Sequence, residues 1–205
     1  MNLPNKLTLS RIFLVPIFMV FIIPFPDWVV NSNFLKVIHN EMVSLNNFIL
    51  HFGNYIAAVF FILAASTDRI DGYLARKTKQ ITKFGIFLDP IADKLMITAA
   101  LIALVQRNEI TGWAAMIIIA REFIVTGLRL VAAGEGIVIS AGKWGKIKLV
   151  TQVVAIAASL LNNFPLSLFT TFEFDQWAML IAVLVTIYSG YEYLAKNIKL
   201  INPNK

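Results

Sequence analysis

Six apolar stretches recur along the chain, near residues 7–27, 52–75, 85–106, 111–133, 146–164 and 177–196. Each runs to about 20 residues, the length a helix rising about 1.5 Å per residue needs to cross a hydrocarbon core about 30 Å thick. The pattern predicts an all-α polytopic membrane protein with six transmembrane helices. In 205 residues, that many spans leave no room for a separate soluble domain, so residues 1–205 are expected to form a single transmembrane domain. No internal repeat or low-complexity segment breaks the pattern.

Between the stretches the chain turns polar. Residues 24–53 mix Pro, Asn, Asp27, Trp28 and Glu41, and read as an external loop with a short interfacial helix. Residues 165–176 read as an external turn. The first stretch follows Lys6 and Arg11, as a secretion signal would. It contains Pro16 and Pro24 and is not followed by a small-x-small cleavage site, so a retained helix is expected. Trp28, Trp113, Trp144 and Trp177 fall at predicted span ends and read as interface anchors.

Composition supports this class. The chain is 58% hydrophobic with a mean hydropathy of +0.73, above the apolar share of soluble domains. The basic residues divide unevenly between the two sides. One side would hold Lys6, Arg11, Arg69, Arg76, Lys77, Lys79, Lys83, Arg129, Lys143, Lys146, Lys148, Lys196, Lys199 and Lys205, the other only Lys36 and Arg107. Because basic loops stay in the cytoplasm, both termini are expected there, in a cell membrane, with an even number of spans. The net charge of +6 points to anionic lipid and phosphate-bearing substrates. Nucleic acid is excluded as a partner, since no soluble basic surface with interleaved aromatic residues exists to bind it. There is no cysteine, which removes disulfides, thiolate metal sites and thiol nucleophiles. His39 and His51 lie far from the acidic clusters, so a zinc-hydrolase ligand set is missing.

Those clusters carry the chemistry. Asp68 and Asp71 lie at the end of the second stretch, Asp89 and Asp93 at the start of the third. Charged groups within membrane helices are costly and mark functional sites by default. Asp68 and Asp71 share a helix face, as do Gly85, Asp89 and Asp93 at intervals of four. A short connection from Lys77 to Phe84 would make the two helices antiparallel neighbours, so four carboxylates converge near the cytoplasmic surface. Four like charges this close repel unless cations lie among them. Oxygen-only ligation suits Mg2+ or Mn2+, and four carboxylates can hold two such ions for in-line displacement at phosphorus. Gly72, Ala75 and Gly85 would clear one wall for a phosphate or planar group, and Arg76 could bind a phosphate bidentately. The alternative is structural: small residues packing helices, with the aspartates paired to Lys79, Lys83 and Lys94.

The string D-x2-D-G-x2-A-R-x8-G-x3-D-x3-D resembles the signature of the CDP-alcohol phosphotransferases. Asp68, Asp71, Gly72, Ala75, Arg76, Gly85, Asp89 and Asp93 fill its fixed positions. The resemblance implies that Asp68, Asp71, Asp89 and Asp93 ligate metal and that Asp93 also serves as the general base. It implies that Gly72, Ala75, Arg76 and Gly85 line the pocket for the CDP part of CDP-diacylglycerol. The opening segment, Leu3 to Arg11, is similar to the family's own, where Asn5 and Thr8 would approach the nucleotide; a helix cap without ligand is its other reading. A homodimer is also implied.

The acceptor alcohol is addressed by the second half. Ala120-Arg121-Glu122-Phe123-Ile124-Val125-Thr126-Gly127-Leu128-Arg129 sets Arg121 deep in a span, where it needs an anion. Arg121 and Arg129 project about 80° apart around a helix. With Lys146 and Lys148 they could form a basic pocket for a phosphate on the acceptor. A Glu122–Arg129 network is the structural alternative. This segment resembles the branch of the family that uses sn-glycerol 3-phosphate, although Leu149 stands where that branch often has Thr. Inositol phosphate, serine and phosphatidylglycerol are the rival acceptors within the family, and the arginines argue against serine. Outside it, a membrane prenyltransferase would need more spans, and a divalent-cation transporter would place its carboxylates near the bilayer midplane. Finally, Glu192 and Lys196 are expected to pair at i,i+4 near the end of the last span.

Overall fold

A computed structural model describes residues 3–31, 37–78, 83–134, 136–137, 139 and 142–197; for 3–8, 67–78, 83–90 and 93 it describes the backbone only. Among the described residues the regular structure is helical throughout: α1 (Leu3–Ile22), α2 (Asp27–Val30), α3 (His39–Thr78), α4 (Lys83–Gln106), α5 (Gly112–Gly134), α6 (Lys143–Leu160) and α7 (Phe174–Lys196), with a 3-10 turn at Leu166–Leu168. Each of the six apolar stretches overlaps one of the long helices, although 7–27 and 146–164 run past the ends of α1 and α6. Two long apolar segments meet the length and hydropathy of a membrane span, His39–Ser66 with a mean hydropathy of 2.0 and Phe174–Lys196 with 1.5.

Helix ends follow local chemistry. Pro24 and Pro26 lack the N–H groups that would continue α1, so it stops at Ile22 and not near residue 27. Pro16 is accommodated inside α1. Asn108, Asn162 and Asn163 have φ of 59°, 48° and 60°, a region asparagine tolerates better than most residues, and they lie just past the ends of α4 and α6.

The main correction concerns residues 39–53. The polar residues there suggested a loop, but α3 runs unbroken for 40 residues, about 60 Å, from His39. No proline or glycine interrupts residues 39–52, and the polar side chains find partners off the helix. Asn46 accepts the Phe25 backbone N–H at 2.8 Å and donates from Nδ2 to the Phe25 carbonyl at 2.9 Å.

The chain forms two compact units. The first comprises residues 1–107 with 160–162. In it α1 packs against α3 and α4, and α3 also touches α4. Phe18 and Ile22 of α1, Ala57, Ala58 and Phe61 of α3, and Ala100 and Leu104 of α4 are almost fully buried. The side of α3 that carries Val59, Ile62 and Leu63 stays exposed, as expected of a helix that faces lipid. Gly53 makes the α1–α3 approach possible, because a Cβ there would collide with the Phe21 carbonyl oxygen. Phe21 and Phe60 stack beside it with centroids 5.8 Å apart. At the end of the unit, Arg107 donates to the carbonyls of Ile22 and Leu50, both at 3.1 Å.

The second unit comprises residues 108–159 and 163–205. Here α5 packs against α7. Polar contacts tie α6 to α7: Gln152 Nε2 donates to Thr186 Oγ1 at 3.0 Å, and that hydroxyl donates to the Ala182 carbonyl at 2.6 Å. Trp144 meets Tyr188 edge-on, centroids 4.6 Å apart. The buried Asp175 accepts from Asn163 Nδ2 at 2.6 Å while its own N–H donates to Asn163 Oδ1 at 2.7 Å, closing the turn before α7.

Candidate functional site

The acidic clusters sit on two helices that touch. Asp68 and Asp71 lie in α3, Asp89 and Asp93 in α4, and four residues separate Thr78 from Lys83. Counted along the helices at about 1.5 Å per residue, Asp71 and Asp89 are about 10 Å from the ends that face this connection, Asp68 and Asp93 about 15 Å. The four thus fall at two matched depths. The side chains of Asn5, Thr8, Asp68, Asp71, Gly72, Ala75, Arg76, Gly85, Asp89 and Asp93 lie outside the described residues. As a donor set, four carboxylates fit hard divalent cations such as Mg2+ and Mn2+.

The second unit holds a cavity of about 270 Å3, whose lining includes Arg121, Arg129, Ser189, Glu192, Tyr193 and Lys196. Arg121 is placed with care. Its side chain is 12% exposed; Nη2 donates to Ser189 Oγ at 2.8 Å, Nη1 lies 3.6 Å from Glu122 Oε1, and the buried Nε has no hydrogen-bond partner. A guanidinium has five N–H donors, so Arg121 retains capacity for an anion in the cavity. Its stem passes over Gly190, where an added Cβ would come within 3.2 Å of Arg121 Cγ. Arg129 donates from Nε to the Tyr193 hydroxyl at 3.3 Å, and its guanidinium carbon is 5.5 Å from that ring's centroid, within cation–π range.

Lys196 pairs with Glu192 as the sequence spacing led one to expect. That pair is neutral, so the lining keeps two net positive charges, those of Arg121 and Arg129. This matches the charge of about −1.5 to −2 on a phosphate monoester at neutral pH. Of the four basic residues singled out from the sequence, the structure brings Arg121 and Arg129 to the cavity. Lys146 is exposed, and Lys148, 3% exposed, gives its ammonium to Glu122. Where a Glu122–Arg129 network was the structural alternative, Glu122 instead lies between Lys148 and Arg121.

Sequence reasoning missed the α7 wall. Ser189, Tyr193 and Asn197 lie four apart, one face of a helix, and Gly190 sits beside them. That spacing was readable, but nothing along the chain connected it to arginines about 65 residues away.

A sequence profile of the CDP-alcohol phosphatidyltransferase family matches residues 1–188. The chain belongs to that family of membrane enzymes. Three relatives carry the name CDP-diacylglycerol–glycerol-3-phosphate 3-phosphatidyltransferase. The Bacillus subtilis protein is 46% identical over 199 residues, covering 96% of this chain and 95% of its own. The Haemophilus influenzae protein is 35% identical over 202 residues (94% and 91%), and that of Pseudomonas fluorescens 36% identical over 202 (95% and 89%).

Proposed function

We propose that this chain transfers a phosphatidyl group from CDP-diacylglycerol to sn-glycerol 3-phosphate, giving phosphatidylglycerophosphate and CMP. The name shared by relatives that align along nearly the whole chain supports the reaction. The observation that carries the choice of acceptor is the meeting of Arg121 and Arg129 in one cavity. Two arginines held by Ser189 and Tyr193 suit a phosphate dianion; a serine acceptor has none.

Asp68, Asp71, Asp89 and Asp93 would hold two divalent ions, Mg2+ or Mn2+, which supply charge stabilisation at the diphosphate as in-line displacement proceeds. The family is generally dependent on divalent metal. Gly72, Ala75, Arg76 and Gly85, with Asn5 and Thr8, bind the cytidine diphosphate. Asp93 takes the proton from the C1 hydroxyl of the acceptor as that oxygen attacks the phosphorus bearing diacylglycerol. The bond from that phosphorus to the bridging oxygen breaks, and CMP leaves. Six spans, both termini in the cytoplasm and a site facing it let the acyl chains stay in lipid while the polar acceptor enters from water. Residues 1–205 act as one catalytic domain, and two copies form a dimer.

Arg121→Ala and Arg129→Ala are each expected to raise KM for glycerol 3-phosphate about 10- to 100-fold, the loss of a charge-assisted hydrogen bond or two. KM for CDP-diacylglycerol should stay near that of the parent. Equal increases for both substrates would reject the acceptor pocket. Competition between labelled glycerol 3-phosphate and inositol phosphate, serine or phosphatidylglycerol then tests the acceptor itself.

A further inference from the structure

Next to Arg121 in sequence stands a carboxylate that competes for it. Glu122 Oε1 lies 3.6 Å from Arg121 Nη1, and the acceptor phosphate needs that same guanidinium. An arginine neutralised by its neighbour would hold a phosphate weakly, because the two anions would repel across it. The structure resolves this contest through α6. Lys148, 3% exposed, directs its ammonium onto the same Oε1 of Glu122. Lys148 does not line the cavity that Arg121 and Arg129 line. With Glu122 engaged by Lys148, the closest polar contact of Arg121 is the neutral hydroxyl of Ser189, at 2.8 Å.

We propose that Lys148 is a positioning residue of the acceptor site: by occupying Glu122 it keeps the charge of Arg121 available to the acceptor's phosphate. The role differs from direct contact with the acceptor, and it rests on the reading of the cavity given under Proposed function. It also makes an unusual demand. Loss of Lys148 should be harmful only while Glu122 carries its charge.

The test is a cycle in the full-length enzyme, in detergent–lipid micelles, with KM measured for each substrate. Lys148→Met is expected to raise KM for glycerol 3-phosphate about 10-fold or more, as Glu122, relieved of that ammonium, turns to Arg121, with KM for CDP-diacylglycerol nearly unchanged. The double variant Glu122→Gln/Lys148→Met should return the acceptor KM to within about 3-fold of the parent. Lys148→Arg, which keeps the charge, should stay near the parent. A double variant as impaired as Lys148→Met overturns the proposal, since it would mean that the ammonium serves the acceptor directly. Should Lys148→Met fail to fold, Glu122→Gln alone decides: an acceptor KM equal to or below the parent's supports the proposal, and a raised one overturns it. Failure of the underlying reading looks different. Arg121→Ala would then leave the acceptor KM unmoved, whereas failure of the Lys148 role alone leaves the Arg121→Ala effect intact.

Discussion

Asp93→Asn is expected to lower kcat by about 100- to 10,000-fold, the range a positioned general base contributes. CDP-diacylglycerol binding should largely survive. The acceptor's hydroxyl is a poor nucleophile at neutral pH, and its attack on phosphorus requires that the proton leave as the bond forms. Asparagine has nearly the shape of aspartate and still presents an oxygen toward a cation, but it takes no proton. Asp68, Asp71 and Asp89 would remain as ligands, so the nucleotide end of the substrate keeps its anchor. Single-turnover rates with preloaded lipid, beside an equilibrium binding measurement, separate the two effects. Preserved turnover with lost lipid binding would show that Asp93 holds substrate and does not act as the base.

Gly53→Val is expected to be among the most damaging substitutions for folding, and Gly53→Ala a milder version of it. Two effects oppose each other here. Replacing a mid-helix glycine by alanine favours the helix by about 0.5–1 kcal/mol. Against that, the new Cβ meets the Phe21 carbonyl oxygen, which is backbone and cannot swing aside, with Ile49 Cγ2 at 3.3 Å on its other flank. Overpacking costs about 1–3 kcal/mol, so the clash should win. A loss of that size lowers Tm by roughly 2–4 °C per kcal/mol in a chain of this length. Gly127→Ala is the control, because nothing lies within 4 Å of an added Cβ there. It should leave Tm unchanged or raise it slightly. A neutral Gly53→Ala in thermal unfolding would mean that α1 and α3 do not approach as described.

Legibility in the sequence varied with the range of the interaction. The long helices were readable because apolar residues persist for about 20 positions, a signal carried by each segment alone. The start of α3 was not. Asn40, Glu41, Asn46 and Asn47 look like loop residues, and only the backbone of Phe25, 21 residues earlier, gives Asn46 a reason to sit within a helix. The basic pocket was half readable. Arg121 and Arg129 share a helix, so their cooperation follows from spacing, whereas Ser189 and Tyr193 approach them across 68 and 64 residues. Lys148 shows the same limit from the other side. Its charge suggested a phosphate ligand, but its burial against Glu122 gives it a different partner.

By itself the sequence determined the class of this protein: an apolar helical chain in which four carboxylates, three or four residues apart within each pair, form a donor set suited to hard cations. Such features depend on residue type and helical period, both of which are local. Tertiary structure alone decided which basic groups face the cavity, which carboxylate is silenced by which lysine, and where two helices touch closely enough to require glycine. Those outcomes depend on contacts between distant segments, and no periodicity along a single helix encodes them.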